Sequence, residues 1–177
     1  LVFRVYNDGM AYRFETNFKK PFTVENEQAV FNFPGNPKAF LAYVNKADNS
    51  TFSQQFYNSF ENTYTHIDLK NANPQKLAFL PLVVEGKNGK KICITEADLL
   101  NYPGMYLYNP DGGNSLTAMF APYPKEIRQG GHNMLQGEVQ SAENFIARCE
   151  GKTTFPWRTV IIAENDYELT DNDMVYK

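Results

Sequence analysis

Short apolar runs that alternate with polar residues recur along the whole 177-residue chain. Residues 10–14, Met-Ala-Tyr-Arg-Phe, show the pattern clearly. Successive side chains of a β-strand point to opposite faces of a sheet, so this alternation favours strands with one face toward a core. An apolar repeat of helical period extends no further than one or two turns anywhere in the chain. The sequence therefore predicts an all-β fold with a few short helical turns, and it argues against strands alternating with helices.

Two hairpins are the most local form of this prediction. Asn7-Asp8-Gly9 separates the strand-like residues 1–6 from residues 10–14, and Asp-Gly tolerates the positive φ angles of a tight turn. Gly86 to Gly89 is expected to join a second pair of strands, in the stretch VVEGKNGKKICI. Further predicted strands are 22–24, 28–33, 40–44, 65–69, 77–84, 91–95, 105–108, 116–121, 137–139, 144–149 and 159–163. Segments rich in Pro and Gly, such as residues 121–133, are predicted as long loops of a two-sheet β-sandwich.

Composition excludes some partners. The 17 basic residues are scattered and outnumbered by 20 acidic ones, giving a net charge of −3, so an electrostatic nucleic-acid footprint is not expected. No apolar run approaches the ~20 residues that a membrane-spanning helix needs. Since the chain begins inside a strand without Met, we expect it to be a single domain, residues 1–177, cut from a longer protein.

Few residues carry recognisable chemistry. The chain has no Gly-x-Ser-x-Gly elbow, no phosphate-binding loop and no Cys-x-x-Cys pair. Cys93 and Cys149 are either paired or free, and the apolar neighbours of Cys93 favour a free buried thiol.

Glu25 and Glu27 are interpreted as an exposed charged edge rather than as a catalytic carboxylate pair. Trp157 is expected to belong to the core.

The stretch ITEADLL, residues 94–100, interrupts the strand pattern with acidic residues. Thr95 and Asp98 are spaced as a capping box, which predicts that a short helical turn begins after Thr95. Leu99 and Leu100 would pack that turn. Capping explains Asp98 but gives no local reason for an acid at Glu96.

Four motifs occur in an order that resembles the N-terminal domain of glycoside hydrolase family 97: YNDGMAYRF (6–14), ITEADLLNYPGMYL (94–107), FAPYP (120–124) and FPWRTVII (155–162). The family contains α-glucosidases and α-galactosidases, many from gut Bacteroidetes. The resemblance implies a β-supersandwich, similar to galactose mutarotase-like domains, packed on a catalytic (β/α)8 barrel that a small β-domain follows. It also implies a periplasmic or outer-envelope location.

The resemblance further implies a calcium ion bound mainly by barrel glutamates and by one glutamate of this domain, which the match places at Glu96. Calcium prefers six to eight oxygen ligands, and one carboxylate on a fixed turn can supply part of such a set. Thr95 and Asp98 are then predicted to hold the turn so that the Glu96 carboxylate has a fixed direction toward the ion. Tyr102 and the segment of Thr117, Ala118 and Met119 are predicted to line the substrate mouth.

A (β/α)8 barrel needs about 250 residues, so this chain does not contain one. The resemblance places the catalytic acid and base in that barrel, and the 177-residue chain alone is therefore predicted to be inactive. The leading hypothesis is the N-terminal domain of a calcium-dependent α-glycosidase that acts on α-linked oligosaccharides. The alternative is a stand-alone carbohydrate-binding β-sandwich, which an exposed row of Tyr or Trp side chains would favour.

Overall fold

The computed structural model of the protein describes residues 1–45, 47–57 and 59–177. The described residues form many short strands and little helix. The strands are β1 (Val2–Tyr6), β2 (Gly9–Arg13), β3 (Glu15–Asn17), β4 (Phe22–Val24), β5 (Val30–Asn32), β6 (Lys38–Leu41), β7 (Thr65–Asp68), β8 (Leu82–Glu85), β9 (Lys91–Ala97), β10 (Met105–Tyr108), β11 (Ser115–Phe120), β12 (Pro124–Gly130), β13 (Gln136–Ala142), β14 (Ala147–Cys149), β15 (Lys152–Thr154) and β16 (Trp157–Ala163). The α-helices are α1 (Phe52–Gln55) and α2 (Asp166–Thr170), and single 3-10 turns span Leu69–Asn71, Lys87–Gly89, His132–Met134 and Met174–Tyr176.

The largest sheet has seven antiparallel strands in the order β1-β2-β16-β9-β8-β6-β7. A three-stranded sheet has the order β10-β11-β5, and three further pairs are β12-β13, β14-β4 and β15-β3. The main core lies between the two larger sheets, because Val84 and Ile94 of the seven-stranded sheet pack in one cluster with Leu107 and Leu116 of β10 and β11. All four side chains are almost inaccessible to solvent. The predicted all-β, sandwich-like fold is therefore confirmed.

Both predicted hairpins are present. Tyr6 pairs with Gly9 at the end of the first, and Glu85 pairs with Lys91 at the end of the second. Gly9 is required by packing as well as by the turn, since a Cβ atom there would collide with the Val160 carbonyl oxygen of the neighbouring strand. Glycine thus lets β1, β2 and β16 come together at this corner of the sheet.

One predicted loop is wrong. Residues 121–133 are not a long loop throughout, because residues 124–130 form β12 and pair with β13 in a hairpin. Pro and Gly at both ends of the segment hid the alternation of Ile127 with its polar neighbours. Cys93 and Cys149 are both free and buried, which confirms the thiol interpretation. No helix in the described part of the chain is long and apolar enough to cross a membrane.

Candidate functional site around Arg158

Glu96 lies on a strand rather than on a helical turn. β9 runs through residue 97 and pairs with β16 along seven positions, with Glu96 directly opposite Arg158. Ile92 and Ile94 precede Glu96 on the same face by two-residue alternation, and Ile94 belongs to the main core. The predicted capping box is therefore wrong, because pairing with β16 satisfies the backbone of residues 91–97 as a strand.

The chain bends only after this strand. Asp98 has a φ angle of 57°, and Leu99 and Leu100 are exposed instead of packing a helical turn. Met105, where β10 begins, donates its backbone N–H to Glu96 Oε2 at 2.9 Å. Glu96 thus closes the loop of residues 98–104 onto the end of its own strand.

Arg158 is the largest fully buried side chain of the described residues, with 1% of its surface exposed. Its Nε and Nη2 donate to the two carboxylate oxygens of Glu27 at 2.8 and 2.7 Å, and Nη1 donates to Glu96 Oε1. The contact with Glu27 is bidentate, with two N–H···O bonds, which is the strongest geometry for a guanidinium–carboxylate pair. The prediction that Glu27 belongs to an exposed charged edge is wrong, since Glu27 is 8% exposed and lies beyond the end of β4.

Two aromatic rings complete the surroundings of Arg158. Its guanidinium carbon lies 5.0 Å from the ring centroid of Phe120 and 5.8 Å from that of Tyr102. These distances are within the range of cation–π attraction. We call Glu27, Glu96, Tyr102, Phe120 and Arg158 the buried arginine cluster.

The charges of this cluster do not balance. Burial raises the pKa of Glu96, and the Met105 N–H and the Arg158 charge oppose that rise only in part. Burial alone would lower the pKa of Arg158, but the hydrogen bond and charge of Glu27, together with smaller contributions that include the charge of Glu96, outweigh burial and raise that pKa. With both carboxylates ionised, one guanidinium faces two negative charges. Among these carboxylates Glu96 lies nearer to solvent, with 10% of its side chain exposed against 6% for Glu27.

Tyr102 joins the cluster to an open groove. Its hydroxyl oxygen is buried and makes no hydrogen bond of normal geometry with the described residues. Burial, followed by the nearby charge of Glu27, raises the pKa of this hydroxyl. Tyr102 also lines a groove of about 1190 Å³, whose wall includes Phe22, Tyr123 and Arg148.

Comparison with known proteins identifies the family. Residues 1–177 match the family described as Glycosyl-hydrolase 97 N-terminal. The chain belongs to this family. It is 47% identical over 174 residues to a retaining alpha-galactosidase of Bacteroides thetaiotaomicron, an alignment that covers 98% of the chain and 26% of that protein.

Solved structures, among them an enzyme of glycoside hydrolase family 97, share the fold. An enzyme of Pseudoalteromonas sp. strain K8 in complex with panose gives a TM-score of 0.68 at 18% identity, covering 97% of this chain and 22% of the other. A beta-arabinopyranosidase gives a TM-score of 0.64 at 19% identity, covering 92% of this chain and 24% of the other. The chain thus spans about a quarter of the length of these relatives. Family membership confirms the resemblance that the four motifs predict.

The structure separates the residues predicted to act with Glu96. Thr95 pairs with Thr159 on the opposite face of the sheet, and the Asp98 carboxylate faces Arg13 at 3.4 Å. Within the described part of the chain, neither side chain is hydrogen-bonded to the Glu96 carboxylate, which Arg158 and Met105 bind instead. Among the described residues, no group of three or more His, Cys, Asp or Glu side chains is arranged to hold a metal ion.

The predicted substrate-lining residues are also divided. Tyr102 does line the groove, whereas Thr117, Ala118 and Met119 lie on β11 and are not part of its wall. Ala118 packs against the main core. Their substrate role stays a prediction.

Three residues of the cluster, Glu27, Phe120 and Arg158, are not among the predicted site residues. Glu27 is 131 positions from Arg158 in the chain, so no local sequence pattern predicts their contact. A signal for Arg158 did exist, because a basic residue in the strand FPWRTVII and an acidic one in the strand KICITEA are suited to pair across a sheet. The predicted helical turn concealed that pairing. Trp157, expected in the core, is indeed buried.

Proposed function

We propose that the protein is the N-terminal part of an α-galactosidase that hydrolyses α-linked galactosides with retention of configuration. The observation that carries this proposal is the 47% identity with a retaining alpha-galactosidase across 98% of the chain. The neighbours in complex with panose or acarbose are 18% identical and bear on the fold alone. For that reason galactose is preferred to glucose as the sugar of the proposed substrate.

The remainder of the parent enzyme supplies the catalytic carboxyl groups in this proposal. Glycosidases place two carboxyl groups on either side of the scissile bond. Glu27 and Glu96 are the paired carboxylates of the cluster, but both bind the same guanidinium, and Glu27 has both oxygens engaged away from solvent. They are therefore unsuited to flank a sugar. The chain alone is expected to be inactive, and its partner is the catalytic barrel of the parent polypeptide.

Glu96 contributes one carboxylate to a calcium ion shared with that barrel. Each carboxylate oxygen has two lone pairs, and each oxygen of Glu96 accepts one hydrogen bond from the described residues, which leaves acceptor capacity. The excess negative charge of the buried arginine cluster favours a cation at its solvent side. The other ligands belong to the parent enzyme. Glu96 would help to hold such an ion, which would supply polarisation of the bound sugar.

The placement of Trp157 does not support the alternative, a stand-alone carbohydrate-binding module. Trp157 is the single tryptophan and the side chain best suited to stack on a sugar ring. It is buried, with the guanidinium groups of Arg4 and Arg13 over its ring. Measurable affinity of the 177-residue chain for α-galactosides without calcium would nevertheless revive this alternative.

The test is an assay of the full-length parent with matched nitrophenyl α-galactoside and α-glucoside substrates. We expect a higher kcat/KM for the α-galactoside and an initial product that NMR identifies as the α-anomer of galactose. Preference for the α-glucoside contradicts the assigned sugar, and an initial β-anomer contradicts retention. The 177-residue chain serves as the control and should release no nitrophenol.

A further inference from the structure

The outer face of the three-stranded sheet carries a group of aromatic rings. The side chains of β10 alternate, and since Met105 and Leu107 are buried in the main core, Tyr106 and Tyr108 lie on the opposite face. Six rings, each with its centroid no more than 6.0 Å from that of another, form what we call the aromatic surface: Phe52, Phe56, Phe60, Phe79, Tyr106 and Tyr108.

The aromatic surface is fixed at its base and open at its edge. Phe60 contacts the rings of both Phe79 and Tyr106, yet 49% of Phe60 remains exposed. Tyr57 and Tyr64, from the same segment of the chain as Phe60, are 51% and 49% exposed. Rings that are held by neighbouring rings and still reach solvent can receive a ligand without first being ordered.

This surface begins directly beside Glu96. Met105 donates its backbone N–H to the Glu96 carboxylate at 2.9 Å, and Tyr106 is the next residue of the chain. Across the sheet, Met119 lies opposite Tyr106, and Thr117 lies opposite Tyr108. Two of the three β11 residues predicted to line the substrate mouth therefore share a face with the aromatic surface.

The chemistry around the rings suits a neutral sugar. Residues 50–65, which supply three of the six rings, are otherwise rich in Ser, Thr, Asn and Gln, and Glu61 is their one charged residue. Aromatic rings stack on the apolar faces of sugar rings, and hydroxyl and amide groups bind the sugar hydroxyls. A few polar groups placed around aromatic side chains are typical of small-molecule sites. An uncharged oligosaccharide matches this surface better than a charged ligand does.

We propose that the aromatic surface binds the sugar residue that follows the cleaved one in a neutral α-linked oligosaccharide. This inference rests on the proposed function, in which Glu96 helps to hold an ion at the sugar that reacts. The reacting sugar then lies beside Glu96, and the rest of the oligosaccharide extends from that point. Tyr106 and Phe60 lie next along the surface and stack on the second sugar. They favour substrates with a sugar, rather than a small group, on the leaving side.

Kinetics of the full-length parent test this role with two substrates that differ only in the leaving group. Melibiose carries a glucose after the α-linked galactose, whereas α-galactosyl fluoride carries no second sugar. Phe60→Leu removes the ring but keeps an apolar side chain of similar size, so the variant is expected to fold. Tyr167→Leu is the matched control, because Tyr167 is a 75% exposed ring on α2.

We expect Phe60→Leu to lower the ratio of kcat/KM for melibiose to kcat/KM for α-galactosyl fluoride by about three- to tenfold. The loss should come mainly through KM for melibiose, since stacking binds the ground state and the transition state alike. Tyr167→Leu should leave the ratio at the wild-type value. An unchanged ratio for Phe60→Leu, as expected if another part of the parent covers the surface, or an equal fall in Tyr167→Leu, would overturn the proposal.

Failure of the proposed substrate is recognised separately. If the parent prefers α-glucosides, the assigned sugar is wrong, and the same ratio measured with maltose and α-glucosyl fluoride decides the role of the surface. If the parent hydrolyses none of these substrates, calorimetry decides it instead. Phe60→Leu should then weaken the binding of melibiose about three- to tenfold more than the binding of galactose, and equal weakening of both would overturn the proposal.

Discussion

The two faces of β16 carry two different arginine–aromatic clusters at neighbouring positions. On one face, the guanidinium of Arg158 is buried between Phe120 and Tyr102 and bound by two carboxylates. On the other face, the guanidinium groups of Arg4 and Arg13 lie 4.7 and 4.4 Å from the ring of Trp157. We call this second group the tryptophan stack.

The comparison shows that burial determines whether an arginine side chain requires carboxylate partners. In the tryptophan stack the ring is buried, but the charges border a cleft that Asp98 and Lys177 also line. Water remains available to them, so the attraction between ring and guanidinium supplements solvation. The Arg158 guanidinium is buried away from water. Its charge is stabilised there only because the carboxylates of Glu27 and Glu96 replace the lost hydration. The cluster on the Arg158 side is therefore expected to be far more sensitive to substitution.

The largest expected effect comes from Arg158→Met. Removing the guanidinium leaves Glu27 and Glu96 buried together without a counter-charge, which should lower the free energy of unfolding by about 3–5 kcal/mol. Urea denaturation of the variant and of Arg13→Met measures the contrast. A loss for Arg158→Met no larger than that for Arg13→Met would contradict the comparison.

A smaller loss is expected for Glu27→Gln. Arg158 then keeps the Glu96 contact but loses a bidentate charged pair, and hydrogen bonds to charged groups contribute roughly 1.5–3 kcal/mol. We expect a decrease of about 2 kcal/mol in the same denaturation experiment. Glu25→Gln is the matched control; Glu25 is an exposed residue two positions away and should change stability very little.

The effect of Glu96→Gln should depend on pH. Burial foremost raises the folded-state pKa of Glu96 above its ordinary value of 4.5. Its contribution to stability is therefore fully present below the unfolded pKa and is lost as pH rises through the folded pKa. Measured with a calcium chelator present, the destabilisation caused by Glu96→Gln should be larger at pH 4 than at pH 7. The opposite trend would show that ionised Glu96 is the form that folding prefers.

The smallest effects belong to the tryptophan stack. Arg4→Ala removes one exposed cation–π contact and should lower the free energy of unfolding by about 0.5–1 kcal/mol. Asp98→Ala removes a 3.4 Å surface ion pair with Arg13 and should change it by no more than about 1 kcal/mol. Denaturation in low and high salt checks both values. Losses as large as that of Arg158→Met would mean that the two faces do not differ as described.

The sequence predicted the fold better than the site, for a physical reason. Strands and tight hairpins are set by local alternation and by turn residues such as Asp8 and Gly9, which can be read from adjacent positions. The buried arginine cluster depends on contacts between segments that are distant in the chain, of which the Glu27 contact spans 131 positions. Only the sheet register, absent from any local pattern, places Glu96 opposite Arg158.

The prediction about Glu96 itself is partly revised. It was singled out because no local interaction explained an acid there, and the structure supplies two: Arg158 and the Met105 N–H. The calcium role came from the family resemblance and stays a proposal. What distinguishes Glu96 from Glu27 is its position nearer to the solvent side of the cluster.

The most direct test of this account is the calcium dependence of activity in the full-length parent for Glu96→Gln and Glu27→Gln. Both variants weaken the contacts of Arg158, but only Glu96 is proposed to reach the shared ion. We predict that Glu96→Gln raises the calcium concentration needed for half-maximal activity, whereas Glu27→Gln leaves it unchanged. An unchanged calcium requirement for Glu96→Gln, or an equal increase in both variants, would contradict the distinct role proposed for Glu96.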